Sequence, residues 1–443
     1  MPLQASASKL FVITPNDATY EEARRVWNGA VDHHPALIAY PSNVQEVVEA
    51  LALANRRGVS VAVRGAGYDW SGRSVREGAL VIDLARIAHV EVDPAARTAR
   101  IGGGATGTQV MAGCSAYGLV PVAGAIGGVG FAGFTLGGGY GPLTPGFGLG
   151  LDTLLAAEMV LASGAIVRCD AKVQPDLFWA IRGGGGNFGV VTSLTVCVHP
   201  LSQVRAGKAL YPWTGAAETI VAWGERMGKA PDALAGTLAL IAAPDGKPAI
   251  ALAPCWQGSS NEGAVAISSL LTLGTPIMTK VEPKSPASLF ALFEGNAVPG
   301  RRYAQQTRWL PRLTEGAVSA LIAAAERRTS VLSAIAVQSF HGFPTRIPVD
   351  ATAFPVRQRH FLVSIVAAWE EDSPEADAQH AGWARDTSAS LEPFALPGGY
   401  ANLLGPEETV QLADVYGANL ERLRVIKRLV DPNNRFTASG PIN

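Results

Sequence analysis

Val61-Ala-Val-Arg-Gly-Ala-Gly-Tyr-Asp-Trp-Ser-Gly72 sets a short β-branched run against a glycine-spaced loop. Farther on, Gly127-Gly-Val-Gly-Phe-Ala-Gly-Phe-Thr-Leu-Gly-Gly-Gly-Tyr-Gly141 repeats that style at greater length. Glycine carries no Cβ, so such a backbone can turn its N–H groups together onto an anion. Taken together, the two loops predict a cradle for one phosphate-bearing cofactor. Tyr68 is the position in it that most needs explaining.

The surroundings of the first loop are of α/β type. Residues 35–41 predict a short strand, and Ser42 with Gln45 a capping box. Val44, Val47, Val48 and Leu51 fall at i, i+3, i+4 and i+7, an amphipathic helix running to about Asn55 and stopped by Gly58. A strand over 60–63 then delivers the loop. Further strands are predicted at 79–84, 88–92, 97–102, 153–162 and 165–169, with helices over 105–117 and 175–181. The stretch 124–150 reads as loop throughout. A third glycine turn, 182–189, feeds a strand over 190–198. Beyond about 206 glycine thins, and helices at 216–228, 313–328 and 375–391 alternate with strand-like runs at 236–242, 249–257, 333–341 and 360–369. A second, α+β domain is therefore expected over 206–395. After it come a loop and one helix over 409–430, which Asp431-Pro432 ends.

Composition bounds the rest. The 443 residues are 48% hydrophobic and 16% charged, which predicts two or three domains, a sizeable core and little disorder. A net charge of −1 argues against a nucleic-acid surface. Cys114, Cys169, Cys197 and Cys255 form no CxxC pair, so no metal site is expected and the thiols read as reduced. No run reaches membrane-span length, and the first 17 residues lack a basic segment followed by a long apolar core. A cytoplasmic protein without a membrane segment is the expectation.

Three stretches satisfy G-x-G-x-x-G: Gly102/Gly104/Gly107, Gly128/Gly130/Gly133 and Gly184/Gly186/Gly189. A dinucleotide-binding Rossmann site also needs a helix directly after the motif and an acidic residue about 20 positions on. Only the first precedes a predicted helix, and no acid follows it near 127. For 102–107 tight turns are the preferred explanation; for 64–72 and 127–141 the paired glycine density favours cofactor binding.

The series Arg64-Gly-Ala-Gly-Tyr-Asp-Trp-Ser-Gly72, Val129-Gly…Leu136-Gly-Gly-Gly-Tyr-Gly141, Arg182-Gly-Gly-Gly-Gly-Asn-Phe-Gly-Val-Val191 and Asp431-Pro-Asn-Asn-Arg-Phe436 resembles the berberine bridge enzyme-like flavoproteins of the vanillyl-alcohol oxidase superfamily. The likeness runs from about Pro35 to Phe436. It implies an α+β fold with a bipartite PCMH-type FAD-binding domain, formed by residues 1–205 together with residues 396–443. The inserted substrate-binding domain, 206–395, would be an antiparallel sheet backed by helices. It also implies that the backbone of Arg64, Gly65, Ala66, Gly67, Tyr68 and Asp69 holds the FAD pyrophosphate, with Ser71 and Gly72 beside it. Val129, Gly130, Gly133, Leu136, Gly137 and Gly138 would run along the ribityl chain and flavin, Gly189 and Val190 would meet the ADP half, and Asn402 would reach the flavin ring. Converging N–H groups offset phosphate charge without a basic patch, which suits a chain of net charge −1.

The departures from the family pattern matter equally. The family carries a histidine, covalently joined to the flavin 8α-methyl, where Tyr68 stands here. Bicovalent members carry a cysteine where Ile126 stands. Non-covalent FAD is therefore expected, with a ring at Tyr68 packing beside the flavin methyls preferred over a tyrosyl ether. A weaker oxidising flavin should follow. Val129 sits at the family's oxygen gate, where a valine is compatible with oxygen access, though ordinary loop packing explains it equally.

Candidates for catalysis are Tyr140 and Tyr400, which lie inside the flavin motifs, and His360 and Gln338 on substrate-domain strands. Alternation puts His360, Leu362 and Ser364 on one strand face, and Gln338 opposite Ser339 and His341. Arg301, Arg302 and Tyr303 could bind an anionic or phenolic group or form a solvated face; Trp70 and Trp309 read as packing, and His33 and His34 as surface residues. The leading expectation is an FAD-dependent oxidoreductase. It would transfer hydride from a small-molecule alcohol, amine or secondary-metabolite intermediate to flavin N5, with molecular oxygen a candidate acceptor, as a monomer or homodimer. The alternative is a non-redox cyclase or isomerase in which FAD is structural.

Overall fold

The opening β-α-β passage folds much as its pattern predicts. In the computed structural model, which describes residues 10–258, 260–437, 440 and 442, β1 (Phe11–Ile13), β2 (Leu37–Tyr40), β3 (Val61–Arg64) and β4 (Leu80–Asp83) form one sheet in the order β1-β2-β4-β3. Residues 1–9, read above as lacking a leader, lie outside the described residues. Strands β2 and β3 flank β4 in parallel, and helix Val44–Arg57 buries Val47, Ala50, Leu51 and Ala54 against them. The cap sits one residue later than expected. Asn43, not Ser42, accepts from the Glu46 N–H, while Ser42 donates back to the Glu46 carboxylate. Gly58 ends the helix at φ 65°, a left-handed conformation that glycine adopts without strain.

A second, antiparallel sheet follows. Its chain order is β5 (Val90–Asp93), β6 (Thr98–Gly102), a two-residue β7 (Leu119–Val120), β8 (Leu154–Val160), β9 (Ile166–Asp170), β10 (Val190–Cys197) and a two-residue β11 (His199–Pro200). Five of these align as β5-β6-β10-β8-β9, and β7 pairs with β11. The stretch read as continuous loop, 124–150, instead contains helices Phe131–Gly137 and Thr144–Phe147. Phe131 and Leu136 are buried there, so packing overrides the weak helix propensity of a glycine-rich segment.

The third sheet has seven antiparallel strands: β12 (Val204–Pro212), β13 (Leu234–Ala242), β14 (Pro248–Trp256), β15 (Met278–Lys284), β16 (Arg302–Leu310), β17 (Ala334–Phe340) and β18 (His360–Trp369), ordered β15-β12-β14-β13-β17-β18-β16. Strands β12, β15 and β16 were not expected. β15 and β16 are the two edges and carry the charged and polar residues that edges tolerate, which hides the apolar alternation. Helices Ala216–Gly228, Glu315–Glu326 and Pro374–Leu391 back one face, and Phe361, Val363, Ile365 and Ala367 of β18 point into that core. On the opposite face Leu362 packs with Tyr140 and Tyr400, so that face roofs the glycine loops.

The chain then returns to the first half. The single helix predicted over 409–430 is two, Thr409–Asp414 and Leu420–Val430, parted at Gly417 with φ 48°. Lys427, almost wholly buried, donates at 2.6 Å to Asn187 O, to Phe436 O and to the Asp431 carboxylate. Asp431 also accepts from the N–H groups of Arg435 and Phe436, and Arg435 reaches Leu51 O at 2.7 Å. The Asp431-Pro-Asn-Asn-Arg-Phe436 motif is thus a helix stop that pins the returning segment to the first two sheets.

Candidate active site

Arg64 ends β3 and is 6% exposed, its guanidinium paired with Asp83 at 2.5–2.6 Å. Its charge is committed to the fold, so the loop beyond it offers backbone. Gly67 and Gly72 have φ of 68° and 79°, which only glycine holds without strain. Asp69 braces the turn by accepting from Ser71 N and Oγ and pairing with Arg73, which donates to Leu404 O. A cleft of about 360 Å³ lies along this loop, lined by Arg25, Val26, Trp27, Arg64–Tyr68, Asp83, Ala85 and Pro299.

The two glycine loops meet. A Cβ on Gly130 would stand 3.0 Å from Ala66 N, and one on Gly128 would stand 2.9 Å from Tyr68 Cε2. The Tyr68 ring stacks on Trp27 at 4.9 Å, and Trp27 stacks on Tyr303 at 4.0 Å. Burial pushes the Tyr68 phenol up to about 12, so it is neutral. Asn28, buried, clasps this stack by donating to Trp70 O and Tyr303 O and accepting from Tyr303 N. Ile126 accepts from Val129 N at 3.4 Å and brings no thiol to the loop; all four cysteines are free.

The Gly102/Gly104/Gly107 stretch is packing. Cβ atoms on Gly102 and Gly104 would lie 2.2 Å and 1.9 Å from the carbonyl oxygens of Ile87 and Leu84. Gly189 likewise backs onto Val160 O, and the Val190 side chain is buried with Leu51, Ile82 and Phe436, leaving only backbone at 189–190 to address a ligand.

The second loop brings the catalytic candidates together. Gly399–Asn402 lies directly on Leu136–Gly139: a Cβ on Gly137 would stand 2.0 Å from Asn402 Oδ1, and one on Gly138 2.7 Å from Tyr400 Cε2. Asn402 Nδ2 donates to Gly133 O at 3.2 Å and to the Tyr400 hydroxyl at 3.0 Å. Gly139 N also donates to that hydroxyl, at 3.0 Å. Both oxygen lone pairs are thereby engaged, and the Tyr400 proton has no acceptor among the described residues. Tyr140 meets His360 Nε2 at 2.9 Å, and His360 Nδ1 meets Gln358 O at 2.8 Å. A carbonyl can only accept, so Nδ1 carries the proton and Tyr140 donates to Nε2. Gln338 donates to Gly141 O at 3.2 Å. All four sequence-derived catalytic candidates therefore converge on residues 139–141, within a cluster that also holds Trp309, Phe340 and Phe354. Desolvation pushes Tyr140 well above its usual range and Tyr400 up to about 12, and it holds His360 down to about 4. All three are neutral near pH 7.

Other candidates fall away. Arg301 pairs with Glu370 and Arg302 with Asp372 and Asp377, while the Tyr303 hydroxyl donates to Val298 O. Trp70 and Trp309 pack, as expected, with Trp70 Nε1 donating to Leu403 O. His34 is exposed, and His33 Nδ1 lies 2.6 Å from Val75 O. Trp27, Asn28, Phe340 and Phe354 were missed, because nothing local marks residues that meet partners hundreds of positions away.

The residues present fit a flavin nucleotide. Glycine backbones converge along 64–72 and 127–139, and Thr135 Oγ1 is buried there without a hydrogen-bond partner. Among the described residues no cluster of His, Cys, Asp or Glu could hold a metal, and no helix is long and apolar enough to cross a membrane. Residues 35–170 match the FAD binding domain family, and residues 399–443 match the family described as berberine and berberine like. The FAD-linked oxidoreductase YgaK of Bacillus subtilis (strain 168) is 31% identical over 439 residues, 97% of this chain and 96% of its own length. The crystal structure of 6-hydroxy-D-nicotine oxidase from Arthrobacter nicotinovorans superposes with a TM-score of 0.90 at 25% identity, covering 100% of both chains. Glucooligosaccharide oxidase from Acremonium strictum, whose FAD is joined through a cysteinyl and a histidyl bond, shares the fold with a TM-score of 0.87 at 22% identity, over 98% of this chain and 97% of its own. With its glycine cradle closed by the returning Tyr400–Asn402 segment, the chain belongs to the berberine bridge enzyme-like family of the vanillyl-alcohol oxidase superfamily and is an FAD-dependent oxidoreductase.

Proposed function

We propose that this enzyme is an oxidase that holds FAD without a covalent bond and oxidises a small-molecule alcohol, amine or secondary-metabolite intermediate in the cleft between the third sheet and the glycine loops. Bound there, FAD would supply the hydride acceptor, with oxygen as the terminal electron acceptor. The observation that carries the proposal is the convergence of Tyr140, Tyr400, His360 and Gln338 on residues 139–141. The free Tyr400 proton orients the substrate oxygen or nitrogen. As the substrate loses hydride, its O–H or N–H proton passes to Tyr140 Oη, and the Tyr140 proton passes to His360 Nε2. Burial disfavours the imidazolium, so His360 gives the proton up when oxygen is reduced to hydrogen peroxide. The covered aromatic cluster keeps water from this relay.

Arg64–Asp69, Ser71 and Gly72 would cradle the pyrophosphate, residues 129–138 the ribityl chain and flavin, Gly189 and Val190 the ADP half, and Asn402 the ring edge. Domain limits of 1–205, 206–395 and 396–443 suit this division, and four free cysteines suit a reducing cytoplasm. Tyr68 and Ile126 occupy the two places of covalent attachment, and Tyr68 is held in an aromatic stack suited to covering the flavin methyls. Acid precipitation of the purified protein should leave the flavin in the supernatant, whereas Tyr68→His should retain some of it in the pellet and raise its potential. Flavin in the parent's pellet refutes the non-covalent arrangement. The same departures favour, as a second reading, a non-redox cyclase or isomerase with structural FAD. Anaerobic mixing with alcohols and amines decides: bleaching of the flavin absorbance excludes that second reading, and its absence across the panel refutes the first.

A further inference from the structure

The roof over the proposed flavin site states its chemistry strand by strand. One cross-strand row runs Leu210, Ala251, Ala239, Ala336, Ser364, Thr307, each residue paired with the next across five neighbouring interfaces of the sheet. Directly opposed residues share a face, so the whole row lies on the side of Leu362 and Ser364, toward Tyr140 and Tyr400. The three alanines and Ser364 are only half-buried, and among the described residues the alanines belong to no apolar core cluster. The neighbouring row, Ala253, Thr237, Gln338 and Leu362, continues the same surface.

Two further observations give this surface a preference. Strands β14, β13, β17 and β18 lie side by side and contain no Asp, Glu, Lys or Arg; burial keeps their His360 and Cys255 neutral. At the end of the alanine row Thr307 is 0% exposed and its Oγ1 has no hydrogen-bond partner among the described residues. A buried hydroxyl without a partner is unfavourable, and a ligand that brings one relieves it. Three alanines on three adjacent strands span two inter-strand spacings, roughly 9–10 Å, the length of a fused two-ring system. A sugar laid on those methyl groups would lose water from several hydroxyls without replacement, and an anion would meet no cation on these four strands, while Lys208 of β12, on the same face, is turned onto the Phe293 ring at 5.2 Å.

We propose that the roof selects an uncharged, planar aromatic substrate, its rings on Ala251, Ala239 and Ala336 and its polar end toward Ser364, Gln338 and Thr307. This rests on the placement of the flavin beneath that face. Titration calorimetry of the purified protein with 2-naphthol and acridone, against cellobiose and 2-naphthoate, tests it. Saturable one-to-one binding of a neutral aromatic is expected, with the sugar and the anion at least about tenfold weaker. Ala239→Leu and Ala336→Leu, which add bulk to the open cleft rather than the core, should each weaken aromatic binding about tenfold. Ser364→Ala should bring 2-naphthol toward the affinity of naphthalene. Equal binding of cellobiose or 2-naphthoate, no saturable binding of either neutral aromatic, or affinity indifferent to both leucines overturns the proposal. Visible absorbance of the same sample separates the two levels. Aromatic binding without flavin refutes the cofactor site and keeps the roof, whereas flavin without aromatic binding does the reverse.

Discussion

Replacing Arg357 by methionine is expected to cost about 3–5 kcal/mol of stability, because it strands a buried carboxylate. The Arg357 and Asp152 side chains are 2% and 1% exposed. They meet through two parallel bonds of 2.9 Å, and Arg357 Nη2 also donates to Thr352 Oγ1 at 2.7 Å. Without the guanidinium, Asp152 keeps only the Leu149 N–H as a hydrogen-bond donor among the described residues, with Arg182 as a more distant charge. At an effective dielectric of about 20 the pair attracts by roughly 6 kcal/mol, and some of that returns because Arg357 no longer has to be desolvated. Urea denaturation should show the midpoint falling with an unchanged slope. The double variant Arg357→Met with Asp152→Leu, which removes both charges, should recover most of the loss. Loss below about 1 kcal/mol in the single variant, or a double variant no better than it, refutes the reasoning. Arg357 also lies over the Phe354 ring at 5.4 Å, so the single variant should loosen the aromatic cluster around Tyr140 and His360 first.

Gly137→Ala should weaken FAD retention several-fold, because its Cβ falls 2.0 Å from Asn402 Oδ1 and must displace Asn402 from Gly133 O; fluorescence of released flavin measures it. Asn28→Ala should cost about 1–3 kcal/mol in urea denaturation, since it leaves the Trp70 and Tyr303 backbone groups without their partner. Burial holds His360 and His199 each down to about 4 from 6.5, so between those values the unfolded chain binds more protons. Stability should be full above about 6.5 and fall as pH drops toward 4, and denaturation midpoints across that window should vary less in His199→Phe.

Much of the fold was written in local pattern. Helix Val44–Arg57 and strands β3, β8, β10 and β18 lie close to where apolar periodicity puts them. Edge strands β15 and β16 did not show, because charged and polar residues break their apolar alternation: β15 is mostly exposed, and β16 spends Arg302, Gln306 and Arg308 on partners elsewhere in the fold. Helix Phe131–Gly137 did not show either, since its stability comes from burying Phe131 and Leu136 rather than from its residues' preferences. At the site, Tyr140, Tyr400, His360 and Gln338 were each singled out from motif or strand face. The bond between Tyr140 and His360, 220 residues apart, and the Asn28 clasp on Tyr303 are consequences of how sheets dock, which no local window carries. The Arg301–Tyr303 trio looked free for a ligand only because its partners Glu370, Asp372, Asp377 and Val298 come from elsewhere in the fold.

The return of residues 399–436 also sets an order of events during synthesis. Leu51 O, Gly133 O and Asn187 O wait for Arg435, Asn402 and Lys427, which leave the ribosome only after the seven-stranded sheet. Until then the glycine cradle lacks its Tyr400–Asn402 wall, and the core shared by residues 99–206 and 401–442 stands open. Closure of the glycine cradle is accordingly a late step of folding. Until the returning segment docks, part of the apolar core of the earlier sheets lies uncovered, a condition that exposes a folding chain to aggregation.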